Sequence, residues 1–143
     1  MDFLVRNALS NQPQKVDDLE VGHANIKVIG VGGAGNNMVS WLFKKGIRGA
    51  EVLACNTDKQ HLDISEADKK FLIGRDVTRG LGCGGFPQKG AEAAQESMMQ
   101  LKETLRGSDM VFVCAGMGGG TGTGAAPVVA AVAKETGSIV IGT

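Results

Sequence analysis

The 143-residue sequence has no tyrosine, one tryptophan and five phenylalanines, so the aromatic platforms on which single-stranded nucleic acids stack are missing. It also has no excess of charge. Fifteen basic side chains balance fifteen acidic ones, which excludes the basic footprint of a nucleic-acid or anionic-membrane binder. Cysteine is scarce. Cys55, Cys83 and Cys114 are odd in number, far apart and never in a C-x-x-C pair, against both a zinc site and a disulfide framework and in favour of a reducing compartment. Cys55 and Cys114 fall inside apolar runs, the usual setting of a small buried hydrophobe. Met1 to Gln14 lacks the roughly 7 to 15 residue hydrophobic run and small-residue cleavage site of an export signal. The uncharged stretch from Met110 to Ala133 is long enough to span a bilayer, but its six glycines would leave irregular backbone unsatisfied in lipid, so direct membrane insertion is not expected. A last absence bears on chemistry. No G-x-x-x-x-G-K-[ST] occurs, so any triphosphate must be held by amides, helix termini and a bound cation rather than by a Walker lysine.

What the sequence has in plenty is glycine, 22 residues or about 15% against roughly 7% in average proteins, alongside only three prolines. With 43% apolar residues the chain can bury one core, and its length suits one domain. Phe3, Leu4 and Leu9 suggest a short amphipathic helix, and a polar, acidic linker follows to about Asn25, so residues 1–25 read as an extension to the domain of residues 26–143. The β-branched run Ile26–Val31 predicts a strand, followed by a helix from Asn36 to Lys45 that stops at Gly46. Glu51–Asn56 predicts a second strand, Gln60–Glu66 a short polar helix and Lys70–Gly74 a third strand. After a glycine-rich stretch from Arg75 to Pro87, one helix is expected from about Gly90 to Arg106. Asp109–Ala115 then reads as a buried strand, Gly116–Gly124 as a loop, Thr123–Glu135 as a helix with Pro127 in its first turn, and Ser138–Ile141 as a strand. Short strands alternating with helices imply right-handed crossovers, hence an α/β, doubly wound, Rossmann-like parallel sheet with helices on both faces. The final strand has no helix after it to cover it, as expected of a truncated domain.

Two glycine-rich segments follow strands, where ligands bind in open α/β sheets. In Gly32-Gly33-Ala34-Gly35-Asn36 the backbone can approach an anion unobstructed, and the helix that follows adds its positive end. Gly30, Gly32 and Gly35, with Asp58 further on, also fit a dinucleotide fingerprint. The second segment, Gly118-Gly119-Gly120-Thr121-Gly122-Thr123-Gly124, offers successive amides and two hydroxyls, an anion-binding concavity in which alanine would strain positive-φ positions and crowd the ligand. By contrast, His23 and His61 lack any partner at motif spacing and read as surface histidines. Trp41 reads as core or edge packing.

These two segments, with Asn56-Thr57-Asp58, Asp68-Lys69-Lys70, Thr78-Arg79-Gly80-Leu81-Gly82 and Ala126-Pro127-Val128-Val129-Ala130, resemble the tubulin/FtsZ family of GTPases from about Ile26 to Thr143. The extension before residue 25 is similar to that of archaeal members. The resemblance implies that Gly32, Gly33, Ala34, Gly35 and Asn36, together with Gly118, Gly119, Gly120, Thr121, Gly122, Thr123 and Gly124, cradle the phosphates of GTP or GDP. It implies that Asn56 and Asp58 line the site near the phosphates and metal-bound water, and that Gly82, Cys83, Gly84 and Gly85 sense the γ-phosphate. Cys83 replaces the usual small residue there, and Phe86 the usual asparagine before proline. Mg²⁺ is expected to be bound mainly through phosphates and water. The family's hydrolytic carboxylates come from a neighbouring subunit's loop, and guanine and ribose are gripped by later segments. Neither is contained in this sequence, so no catalytic residue is expected in it.

The same resemblance implies a head-to-tail homopolymer in the cytoplasm at the division site, forming the division ring with membrane-tether proteins. Two other readings remain open on the sequence alone, an NAD-dependent oxidoreductase using the dinucleotide fingerprint and a relative that polymerises or binds nucleotide without turnover.

Overall fold

The computed structural model describes residues 24–143, and the expected amphipathic helix, His23 and nearly all of the N-terminal extension lie outside them. Five strands, β1 (Ile26–Val31), β2 (Ala50–Asn56), β3 (Lys69–Leu72), β4 (Met110–Ala115) and β5 (Ile139–Gly142), form one sheet in the order β3-β2-β1-β4-β5. All four pairings are parallel. The helices are α1 (Gly32–Lys45), α2 (Lys59–Ile64), α3 (Arg75–Thr78), α4 (Pro87–Glu96), α5 (Met98–Leu105) and α6 (Thr121–Glu135).

Side chains alternate across the pleat, and this divides the core in two. Ile29, Val31, Leu53 and Val111 face one way and pack with Ala93 of α4, Leu101 and Leu105 of α5 and Val129 of α6. Val28, Val52 and Ala54 face the other way, onto Val39 of α1 and Leu62 of α2. Helices therefore cover both faces, as the alternation of strands and helices requires.

Three elements differ from the sequence reading. The long helix expected up to Arg106 begins at Pro87, where a prolyl nitrogen costs no hydrogen bond, and breaks at Ser97. The Ser97 hydroxyl accepts the amide of Gly74 at 3.0 Å, so the break is fixed by a distant turn. The four-residue α3 arises inside the glycine-rich stretch because Glu96 of α4 takes the amides of Asp76 and Val77 on its two carboxylate oxygens. Pro127 is the seventh residue of α6 rather than part of its first turn, with its ring exposed to solvent.

All three cysteines are free and buried. Burial pushes the Cys55 thiol up to about 12 and raises Cys114 as well, consistent with their packing role. Among the described residues no helix is long and apolar enough to cross a membrane.

A charged cluster ties the strands together at the end of the sheet where β1 begins. Lys27 is almost fully buried, with its ammonium 2.5 Å from the Thr104 carbonyl and 3.5 Å from Glu51, which also pairs with Lys69 at 3.0 Å. Burial raises the Glu51 pKa, but the two lysines outweigh it and hold the carboxyl below its ordinary 4.5. A carboxyl that ionises more readily when folded adds stability above its unfolded-chain pKa and loses it as the pH falls through the folded value. Glu51→Gln is therefore expected to lower the urea midpoint at pH 7. The gap to the parent chain should close as the pH drops below about 4.5, and a gap unchanged at pH 3 would contradict this role.

Candidate functional site

β1 and β4 run side by side in register, Val31 opposite Ala115, so the chain leaves both strands at the same edge of the sheet. There α1 begins at once at Gly32, and α6 begins at Thr121 after a short turn. The two glycine-rich segments meet. A Cβ built on Gly32, whose φ is +76°, would stand 2.8 Å from the Gly122 nitrogen.

Between them lies a cavity of about 500 Å³. Gly33 and Ala34 of α1 line it, with Gly119, Gly120, Thr121 and Gly122 around the start of α6, Asn56 at the end of β2 and Asp58 just beyond it, and Gly82, Cys83, Gly84 and Gly85 from the loop before α4. Gly32, Gly35, Asn36, Gly118, Thr123 and Gly124 are not in its lining. Val31, His61, Leu81, Gly116 and Met117 are, although none was singled out from the sequence as a site residue.

The electrostatics of this cavity come from backbone. Neither α1 nor α6 has a side-chain cap at its N-terminus or an acidic residue in its first turn. Each of these long helices thus turns its orphan N–H groups and positive end on the cavity without a side-chain cap or an acid of its own first turn. The contrast is α2, where Asp58 caps the helix by accepting the His61 amide at 3.1 Å. Among the described residues, the amides of Gly84, Gly85, Gly119 and Gly120 have no hydrogen-bond acceptor. Among the described residues no lysine or arginine lines the cavity, and Asp58 is its single carboxylate. A multiply charged anion presented to amide donors is the guest this arrangement suits.

The expected helix starts are corrected, since the helices placed from Asn36 and Thr123 begin at Gly32 and Thr121, within the glycine-rich segments. So is the expectation that positive φ explains the second segment, because only Gly118 has it there, with φ +98°. The other glycines have different duties. A Cβ on Gly35 would overlap the Cys114 carbonyl, and one on Gly124 would overlap the carbonyl of Pro87, so these two let helices lie close against sheet and neighbouring helix. On Gly122 it would lie 2.5 Å from the Gly116 oxygen, and on Gly120 2.8 Å from the Cys83 Cβ. Within the second segment only Gly118 and Gly119 have nothing within 4 Å. In the loop before α4, positive φ does hold for Gly82, Gly84 and Gly85.

Asn36 is fully buried beneath the cavity. Its amide donates to the carbonyls of Gly30 and Cys55, each at 3.0 Å, and its oxygen accepts from Asn56 at 3.0 Å. The Asn56 oxygen in turn accepts the amides of Thr57 and Asp58 at 2.8 and 3.2 Å. This chain of bonds joins β1, β2 and the turn that carries Asp58. A second link passes through Thr57, whose hydroxyl lies 2.7 Å from that of Thr121, with the Cys83 sulfur 3.4 Å from both. The Thr123 hydroxyl folds back to accept the Gly118 amide at 3.0 Å.

His61, expected at the surface, is half-buried in the cavity wall with Nε2 3.1 Å from the Asn37 Oδ1. The signal was present in the sequence. Asp58 three residues earlier is a helix cap, and the first turn of a helix capped at the site faces the site.

Residues 25–143 match the Tubulin/FtsZ family, GTPase domain. Among curated proteins, the chain is 57% identical over 141 residues to cell division protein FtsZ 2 of Methanocaldococcus jannaschii, covering 97% of this chain and 37% of the relative. It is 57% identical over 116 residues to cell division protein FtsZ 1 of Archaeoglobus fulgidus, covering 81% and 32%. Among solved structures, an empty FtsZ dimer from M. jannaschii superposes with a TM-score of 0.80 at 47% identity, over 99% of this chain and 39% of that one. A GTPγS-bound protofilament of CetZ2 from Haloferax volcanii does so with a TM-score of 0.72 at 30% identity, over 82% and 39%. The chain thus spans between about 30% and 40% of the length of these relatives. With the family match running from the first strand to the last residue, the chain belongs to the tubulin/FtsZ family and lies within its GTPase domain.

Proposed function

We propose that this chain supplies the phosphate-binding part of the GTP site of a self-assembling cell-division GTPase. The observation that carries this reading is the meeting of two uncapped helix N-termini over one cavity lined, among the described residues, by no lysine or arginine. The phosphates of GTP or GDP sit against the amides of Gly33, Ala34 and Gly119–Gly122. The amides of Gly84 and Gly85, without acceptors among the described residues, stand ready for the terminal phosphate. Cys83 anchors that loop to Thr57 and Thr121, so its side chain positions the loop while the glycines beside it contact the ligand.

The chain offers Mg²⁺ little of its own. Among the described residues Asp58 is the one carboxylate in the cavity and one of its oxygens already caps α2, so the ion fits as a phosphate- and water-bound partner that neutralises polyphosphate charge.

In the intact protein, the nucleotide lies between stacked subunits of a head-to-tail polymer at the division site in the cytoplasm, with division-ring and membrane-tether proteins as partners. Relatives solved as a dimer and as a GTPγS-bound protofilament support self-association. Hydrolysis is completed by a segment outside this chain.

Titration of the chain with fluorescent GTP, ATP and NADH tests the reading. GTP is expected to bind weakly, to be displaced by inorganic tripolyphosphate, and to be hydrolysed negligibly. Little distinction between GTP and ATP is expected, because the cavity described contacts phosphates and no base. Tighter binding of NADH would overturn the assignment in favour of a dinucleotide site, and robust turnover by this chain alone would contradict the division of labour.

A further inference from the structure

A second cavity, of about 570 Å³, lies at the edge of the sheet formed by β3. Among the described residues β3 pairs with β2 alone, so the hydrogen-bonding groups along its other side are open. Phe71 belongs to the core on one face of the sheet, while Leu62 and Leu72 pack on the other, and all three line this cavity. The cavity therefore wraps the free edge of the strand rather than lying on one face.

Its floor is apolar and its walls are cationic. Among the described residues Lys59, Lys70, Arg75 and Arg79 surround it against one carboxylate, Asp63. Asp63 is already engaged, 2.7 Å from the Lys59 ammonium. Lys70 donates to the Asp63 backbone carbonyl at 3.0 Å. Among the described residues neither Lys70, Arg75 nor Arg79 has an ion-pair partner. Glu96, which packs close by, spends both oxygens on the amides of α3 and so fixes the turn that carries the two arginines. Arg79 itself has φ +54°, the single positive φ outside glycine among the described residues. In a chain with no net charge, three unpaired cations around an apolar floor and an open strand edge form a local exception.

We propose that this cavity docks an acidic, extended polypeptide segment of a partner protein. The segment adds as a strand beside β3, sets its carboxylates against Lys70, Arg75 and Arg79, and lays an apolar side chain on Phe71 and Leu72. The strand edge and the apolar floor favour a peptide over a small inorganic polyanion, which would use only the cations.

The test is fluorescence anisotropy with the full 143-residue chain and a labelled hexapeptide of alternating glutamate and valine. Binding is expected to saturate and to weaken as salt rises. The double variant Lys70→Glu with Arg75→Glu should bind at least about tenfold more weakly, while Arg48→Glu, an exposed cation elsewhere, should bind as the parent does. A peptide N-methylated at alternate amides should lose most of its affinity, since it cannot pair along the strand. If circular dichroism shows that the double glutamate variant is unfolded, Lys70→Gln with Arg75→Gln takes its place. Failure to saturate, binding indifferent to the substitutions, or equal binding of the N-methylated peptide with displacement by tripolyphosphate would each overturn the proposal. The last outcome would mark a small-polyanion site instead. Because GTP titration reads a different cavity, failure here leaves the nucleotide assignment standing.

Discussion

Gly124→Ala is expected to destabilise the fold by about 3 kcal/mol or more, whereas Gly119→Ala should change stability by no more than about 0.5 kcal/mol and weaken nucleotide binding about tenfold. The two residues lie in one glycine-rich segment, yet their surroundings are opposite. A methyl on Gly124 would overlap the carbonyl of Pro87 and come within 2.8 Å of the Ala91 nitrogen, so α6 and α4 would have to separate along their contact. Backbone cannot swing aside as the end of a flexible side chain can. A methyl on Gly119 meets no protein atom within 4 Å and points into open space at the cavity, where it competes with the ligand. Urea denaturation and a GTP titration on both variants check this. Equal stability losses would mean that the segment is a packing device throughout, and unchanged affinity in Gly119→Ala would remove that residue from the phosphate site.

The second large effect is at Asn36. Asn36→Ala should cost about 3 kcal/mol, because two backbone carbonyls and the Asn56 amide lose their partner in a fully buried position, at about 1 kcal/mol or more each. Asn36→Asp should be worse than alanine, since it removes both donors and places a carboxylate among carbonyl oxygens. If either variant unfolds at the parent's urea midpoint and only nucleotide affinity falls, Asn36 acts on the ligand directly and the buried network is incidental.

These two sites also mark the limit of what could be read from the sequence. The sheet was legible because β-branched and apolar runs such as Ile26–Val31 and Met110–Ala115 are too short and too uniformly buried for anything but parallel strands between helices. That both glycine-rich segments share an edge followed from parallel strands whose carboxyl ends lie on one side of the sheet, whereas the adjacency of β1 and β4, with Val31 opposite Ala115, is set by the fold. The duties of individual glycines were not legible. One that admits a helix, such as Gly35, and one that opens a cavity, such as Gly119, are the same letter, and only the distance to a neighbouring backbone separates them. Glycine's low helix propensity also suggested loops where α1 and α6 in fact begin, because tertiary packing overrides a preference of about 1 kcal/mol per residue. The break at Ser97 and the whole of α3 depend on Gly74 and Glu96 reaching across some twenty positions, which local pattern does not encode. Asn36 was read as a cavity residue from its place at the end of the first segment, whereas its side chain turns inward to hold β1 and β2.

Amide chemical shifts, followed residue by residue while GDP or GTP is added to the isotope-labelled chain, test most directly whether backbone from both segments holds one polyphosphate. Gly33, Ala34, Gly119, Gly120, Thr121 and Gly122 are expected to move together along a single saturation curve, with Gly84 and Gly85 responding further to the triphosphate than to the diphosphate. Shifts confined to one segment, or centred on Lys70 and Arg75 at the far edge of the sheet, would contradict it.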